Sequence, residues 1–218
     1  MLIIGAKGFA KEVLEVISVE MGLLDEEIYF FDDVSDDLSD KMFDRFHIFK
    51  SFEEVKTHIS ITNDKRFVIG IGSPYYRGMM YEKFIAFGAE PYLLISRSSK
   101  VGSFDVSLGK ASSIMAGVII TNSIKIGKGC LINLMCTIGH DSDIGDFVEL
   151  SPNVNISGRC KIGNYTSIGT SATLIPNISI GENVIIAAGA VVTKNVPSNC
   201  MVAGVPAQIK KTLTPLDI

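Results

Sequence analysis

The stretch Ile126-Gly-Lys-Gly-Cys-Leu-Ile132-Asn-Leu-Met-Cys-Thr-Ile138-Gly-His-Asp-Ser-Asp-Ile144 carries an aliphatic residue at every sixth position. The pattern extends both ways. Backwards it reaches Ile120, Ile114 and Leu108; forwards it runs through Leu150, Ile156, Ile162, Ile168, Leu174, Ile180 and Ile186 to Val192, with no miss and no phase slip. A period of six fits neither the 3.6-residue turn of a helix nor the two-residue alternation of a strand. It is the signature of a parallel β-helix built from hexapeptides. Three hexads make one triangular coil, and each hexad supplies a short strand and a corner, with its aliphatic pointing into the prism. Seven of the fifteen aliphatics are followed by Gly, as at Gly127, Gly139 and Gly145. These glycines are expected to relieve crowding and to permit unusual dihedrals at the turns. The inward site two residues before each aliphatic is expected to be small, as at Ser112, Cys130, Cys136, Ser142, Cys160, Thr166, Ala172 and Ala190. The hexads predict about five coils stacked at roughly 4.8 Å each.

Outward from the repeat, composition narrows the function. The chain has 218 residues and a formal net charge of −4, which gives no electrostatic footprint for nucleic acid. No apolar run approaches the roughly 18 residues that span a membrane. Met1–Ala6 is apolar but too short for a signal peptide, and Lys7 and Glu12 follow at once. A cytoplasmic protein is expected. Three of the four cysteines, Cys130, Cys136 and Cys160, occupy the small inward site, which suits buried thiols in a reducing compartment. No Cys/His cluster suggests a metal.

Before the repeat, Met1–Ile4 reads as a strand, Gly5-Ala-Lys-Gly8 as a glycine turn, and Glu12–Glu20 as an amphipathic helix. Strand, glycine turn and helix open a nucleotide-binding βαβ unit, in which free N–H groups at the helix start can meet a phosphate. Only two glycines are present, so the complete dinucleotide fingerprint is absent. Ile28–Phe31 is a second strand ending at Asp32-Asp33, where a carboxylate can hold a ribose or base; the continuing run of Asp36, Asp37 and Asp40 fits a solvated turn equally well. Arg66–Gly72 is a third strand with a glycine turn, and Pro74–Phe87 a second helix. The expected architecture is an α/β Rossmann-like βαβ domain over 1–96, followed over 97–218 by an all-β prism with a short tail. His47 and His58 are read as surface or packing histidines.

A filled prism has no internal pocket, so chemistry belongs on its outside or between subunits. His140, at a corner two residues after Ile138 and followed by Asp141, is the only histidine of the repeat. Imidazole titrates near neutrality and serves as a general base without much tuning, and a neighbouring carboxylate can orient it.

Gly139-His-Asp-Ser-Asp-Ile-Gly-Asp146, the Ile162-Gly and Ile168-Gly steps, Ala188-Gly-Ala-Val-Val192 and Gly204-Val-Pro-Ala207 resemble the bacterial sugar O- and N-acetyltransferases of the sialic-acid O-acetyltransferase type. The resemblance covers nearly the whole chain. It implies a left-handed β-helix and an acetyl-CoA-dependent transfer without a metal, in a homotrimer with active sites between subunits. It implies N-acetylation of a 4-amino-4,6-dideoxyhexose on UDP or dTDP, for surface-glycan or glycoprotein sugar biosynthesis. O-acetylation of a sugar such as sialic acid is the alternative, and a non-catalytic trimeric scaffold a distant third. It further implies His140 as general base with Asp141 as its partner. Asn133, Glu149, Gly158, Thr170 and Ala188 fall at acetyl-CoA contacts, and Lys7, Gly8, Phe9, Asp32, Asp33 and Gly72 at the nucleotide of the sugar. Relatives often carry His where this chain has Phe9 and Glu149.

Overall fold

The computed structural model describes residues 1–217. The aliphatic ladder forms the predicted prism. Its strands stack in three sheets, and between Leu108 and Val192 each strand pairs in parallel with the one eighteen residues on, as Ile114 does with Ile132 and Ile132 with Leu150. The first face runs from Leu94–Ile95 through Ser113–Ile114, Leu131–Ile132, Glu149–Leu150, Ser167–Ile168 and Ile185–Ile186 to Cys200–Ala203. The second runs from Lys100–Val101 to Val191–Val192, and the third from Val106–Leu108 to Ser179–Ile180. The result is a left-handed parallel β-helix. Two strands, Leu94–Ile95 and Lys100–Val101, precede that of Leu108 and complete its coil, so the column is taller than the hexads alone predict. The extra residue of the seven-residue step from Val101 to Leu108 falls in the turn before Asp105, because Val106–Leu108 already pairs residue for residue with Ile124–Ile126 of the next coil.

The interior is the predicted one. Ile114, Ile138, Leu150, Ile168 and Ile186 are wholly buried, as are Ser112, Cys136, Ser142, Cys160 and Thr166 at the small site. Burial drives the Cys130 thiol up to about 12 and that of Cys136 up to about 11, so both are inert. The turn glycines relieve crowding as expected but do not supply the unusual dihedrals. Left-handed backbone recurs every six residues from Asp105 to Gly189, but three residues after the aliphatic, and mostly at non-glycine residues such as Met135, Asp141, Phe147 and Asn153. The glycine directly after the aliphatic instead lets successive coils touch: a Cβ on Gly139 would stand 2.6 Å from the amide N of Gly158 in the next coil.

The N-terminal domain holds a six-stranded sheet ordered Lys41–Met42, Phe46–Phe49, Tyr29–Phe31, Leu2–Ile4, Arg66–Ile69, Glu90–Pro91. All pairs are parallel except the first, which is antiparallel. Helix α1 (Gly8–Glu15) begins inside the glycine turn, earlier than the hydrophobic pattern suggests, and continues as a wider π-type turn over Val16–Glu20. Helix α2 (Phe52–Thr62) is capped by the Ser51 hydroxyl, which accepts from the Glu54 amide at 3.3 Å. Helix α3 is Pro74–Ala86. The chain passes from sheet to prism between Glu90–Pro91 and Leu94–Ile95. His58 lies on Tyr29 with ring centroids 3.9 Å apart, and His47 meets Phe49 edge-on, so both are packing groups. Among the described residues no helix is long and apolar enough to cross a membrane.

The domain sits on one side of the prism. Leu94, Met115 and Leu131 of the first face join Met1, Ile3, Val13 and Ile17 in a common core. At the corner between third and first faces, Tyr81 packs on Phe147, which stacks on Tyr165. Arg77 fastens the two bodies. It is almost wholly buried, and its guanidinium donates to main-chain carbonyls of both: Gly129 and Phe147 of the prism at 2.9 Å each, and Ile71 and Gly72 of the N-terminal domain. Burial lowers its pKa to about 10, so it stays charged at neutral pH.

Candidate active site

The glycine turn opens onto a cavity of about 480 Å³ at the carboxyl ends of the parallel strands. Lys7, Gly8, Phe9, Asp32, Asp33 and Gly72, all six residues expected at a nucleotide, line it together. A Cβ placed on Gly8 would meet nothing within 4 Å, so its free side faces open space. The two carboxylates differ. Asp32 is buried and ties the turns together: Oδ1 accepts from the amides of Val34 at 3.2 Å and Ser35 at 2.9 Å, and Oδ2 from that of Ala6 at 3.3 Å. Asp33 is the exposed carboxylate at the rim. Lys7 reaches Asp37 at 3.2 Å, and that ammonium holds the Asp37 carboxyl below the usual carboxylate range.

Sequence reasoning missed the far wall, made of Tyr76, Met79 and Lys83 of α3. A signal was present. Gly70-Ile-Gly72 repeats the strand, glycine turn and helix of the amino terminus, and positions 76, 79, 80 and 83 form one helix face.

The prism residues fall at two of its corners. At the corner joining second and third faces, His140 Nδ1 lies 2.7 Å from Asp141 Oδ2, with both side chains about half exposed. Asp141 occupies the recurrent left-handed position, φ 59°, which Asp tolerates better than most residues. With the carboxylate accepting from Nδ1–H, the imidazole lone pair lies on Nε2. Gly158, directly above in the next coil, makes room for the ring: a Cβ there would be 2.7 Å from Nε2 and 2.8 Å from Cε1. His140, Asp141 and Gly158 are therefore brought together. At the other corner, between first and second faces, Asn133 leaves the first face nearly buried, while Thr170 and Ala188 stack in successive coils. These three are not brought to His140 within one chain; the second face lies between.

Glu149 stands apart from both groups, on the first face and beneath Gly72 of the N-terminal domain. Its Oε2 accepts from Ser167 Oγ at 3.1 Å, and a Cβ on Gly72 would lie 3.9 Å from its Oε1. Burial raises its pKa, and the charge of Arg77 works against that rise. Arg77 itself was not singled out from sequence, because its partners are carbonyls more than fifty residues away in the prism.

Two family models match. The PglD N-terminal domain covers residues 1–84, and the bacterial transferase hexapeptide (six repeats) covers residues 159–194. A GDP-perosamine N-acetyltransferase of Escherichia coli O157:H7 is 28% identical over 205 residues, 93% of this chain and 81% of the relative. A perosamine N-acetyltransferase from Caulobacter crescentus, solved with CoA and GDP-perosamine as a variant with a histidine replaced by asparagine, superposes with a TM-score of 0.86 at 26% identity, over 96% of both chains. The acetyltransferase domain of PglB from Neisseria gonorrhoeae FA1090, solved with acetyl coenzyme A, gives 0.84 at 26% identity, over 96% of this chain and 98% of that one.

Proposed function

We propose that this chain, which is similar to bacterial hexapeptide-repeat sugar acetyltransferases, transfers the acetyl group of acetyl-CoA to the amine of a nucleotide-linked 4-amino-4,6-dideoxyhexose in a cytosolic nucleotide-sugar pathway. Relatives that act on GDP-perosamine add GDP to the UDP and dTDP expected from sequence. Residues 1–96 hold the nucleotide sugar and residues 97–218 carry the transfer, although the first prism strand already begins at Leu94. The observation that carries the reading is the His140 ring, fixed through Nδ1 by Asp141 and presenting Nε2 beside Gly158.

The chemistry follows from that tautomer. The acceptor nitrogen attacks the thioester carbonyl carbon, and Nε2 takes its proton as the C–N bond forms. The C–S bond breaks as the tetrahedral adduct collapses, and the imidazolium returns the proton to the departing CoA sulfur. Asp141 stabilises the imidazolium in between. An acceptor that arrives as ammonium releases one further proton to water.

The nucleotide-type cavity and His140 lie on different sides of one prism, so a complete site needs two subunits. The third face carries Lys125, Asp143 and Lys161 outward and suits solvent. The second presents Ile119, Thr137, Asn155, Thr173 and Val191, uncharged above Lys100, flanked by exposed Met135 and Ile175. An uncharged face with exposed aliphatics suits a subunit contact. A homotrimer joined there carries the His140 corner of one subunit toward the Asn133, Thr170 and Ala188 corner of the next, and acetyl-CoA occupies the cleft.

The test is thiol release from acetyl-CoA with GDP-, UDP- and dTDP-linked 4-amino-sugars and with sialic acid. One nucleotide amino-sugar is expected to turn over, and His140→Ala to lower its kcat by about 10²–10⁴-fold. Sialic acid as the preferred acceptor, or a His140→Ala protein retaining more than about a third of kcat, contradicts the reading.

A further inference from the structure

We propose, on the acceptor class given above, that Glu149 is the specificity-determining group for a cationic acceptor, and that its carboxylate receives the sugar's ammonium where the nucleotide cavity meets the prism.

The outward residues of the first face follow in register: Ser113, Leu131, Glu149, Ser167, Ile185. Ser113 and Leu131 are buried beneath the N-terminal domain, whereas Ile185 is 40% exposed. Glu149 is the first outward residue past that cover. Gly72, which lines the cavity, overhangs it closely enough that its Cβ would come 3.9 Å from Oε1. The carboxylate thus stands at the end of the cavity wall nearest the prism.

Its bonding leaves it receptive. Oε2 is held by Ser167, and no Lys, Arg or His among the described residues pairs with the carboxylate within 4.0 Å. Arg77 is the charged group that faces it from the packed helix, but the guanidinium bonds main-chain carbonyls and balances the charge without closing a bridge. A desolvated carboxylate with a free oxygen gains a charge-assisted hydrogen bond from an ammonium, and less from a hydroxyl. It suits a thioester poorly, because a carbonyl oxygen gathering negative charge would be repelled by it. This assigns Glu149 to the acceptor, where the family resemblance had it at acetyl-CoA. An amine beside electron-withdrawing groups titrates near about 8, as an α-amino group does, so the acceptor is mostly cationic at pH 7.

The experiment compares the nucleotide 4-amino-sugar that turns over fastest with its 4-hydroxy counterpart, by equilibrium binding to wild type, Glu149→Gln and Glu149→Asp. Wild type should prefer the amine by about ten- to a hundredfold at pH 7, the usual range for a hydrogen bond to a charged group. Glu149→Gln should lose that preference while binding the hydroxy sugar within about twofold of wild type, and Glu149→Asp should keep part of it. Near about pH 9.5, where the amine is neutral, the wild-type preference should narrow. The proposal is overturned if Glu149→Gln keeps the preference, if both sugars are lost together, or if only the KM for acetyl-CoA rises. Failure of wild type to release thiol with any nucleotide amino-sugar defeats the acceptor class itself, a result independent of the variants.

Discussion

Gly158 offers a test in which the geometry sets the magnitude. Its φ is not left-handed, so Gly158→Ala asks nothing unusual of the backbone. The new Cβ would stand 2.7 Å from His140 Nε2, about 0.7 Å inside an ordinary 3.4 Å contact. The coil holding Gly158 is fixed by the ladder, whereas the imidazole is half exposed; the ring therefore moves, and its bond to Asp141 lengthens or breaks. Displacing a catalytic group by close to 1 Å typically costs about 10²-fold in rate. Gly158→Ala should thus lower kcat by roughly thirty- to a hundredfold. Thermal stability should change little, because an exposed ring relieves the strain by swinging outward; a shift in Tm under about 3 °C corresponds to under about 1 kcal/mol at this size. The assay is steady-state thiol release beside a melting curve. Wild-type kcat in Gly158→Ala would refute the placement of Nε2 against this glycine, and a large fall in Tm would refute the claim that the ring, not the coil, yields.

Other outcomes follow from the same geometry. Gly8→Val should fold normally, since its side chain enters open space, yet raise the acceptor KM while leaving that for acetyl-CoA nearly unchanged; a rise in the acetyl-CoA KM instead would reverse the assignment of the two ligands. Arg77→Met strips partners from four main-chain carbonyls at the domain junction, so it should destabilise by at least about 3 kcal/mol, or about 6–12 °C in Tm, by differential scanning calorimetry. Asp64 binds Arg66 at 2.8 Å and the Met1 ammonium at 2.7 Å, and Arg66 above all holds its carboxyl well below the usual range. A depressed carboxylate stabilises the fold above its ordinary pKa and loses that contribution as the pH falls through the folded value. Asp64→Asn should therefore lower Tm at pH 7, with the gap closing between about pH 5 and pH 1; a constant gap would contradict the linkage.

The prism was legible because its rule is one-dimensional: every sixth residue enters the same column, so a single chain displays its three faces. The local environment of His140 was legible for the same reason, since Asp141 adjoins it and Gly158 lies one coil on. The left-handed turn position was hidden because Met135, Phe147 and Tyr165 adopt it without a glycine to mark it. The strands Lys41–Met42 and Phe46–Phe49 were obscured by the acidic run before them. The roles of Arg77 and Glu149 depend on how α3 docks against the prism, a contact between residues far apart in sequence, and no local pattern announces it.

The central claim is that acetyl transfer needs the nucleotide cavity of one chain and His140 of another. It is tested most directly by mixing two impaired chains, His140→Ala and Gly8→Val, through co-expression and assaying at limiting acceptor. In randomly assembled trimers about a quarter of the sites would pair an intact cavity with an intact base from different subunits, so activity should return to about a quarter of wild type. Activity no greater than the mean of the separate variants would contradict the account and place both groups of each site in one chain.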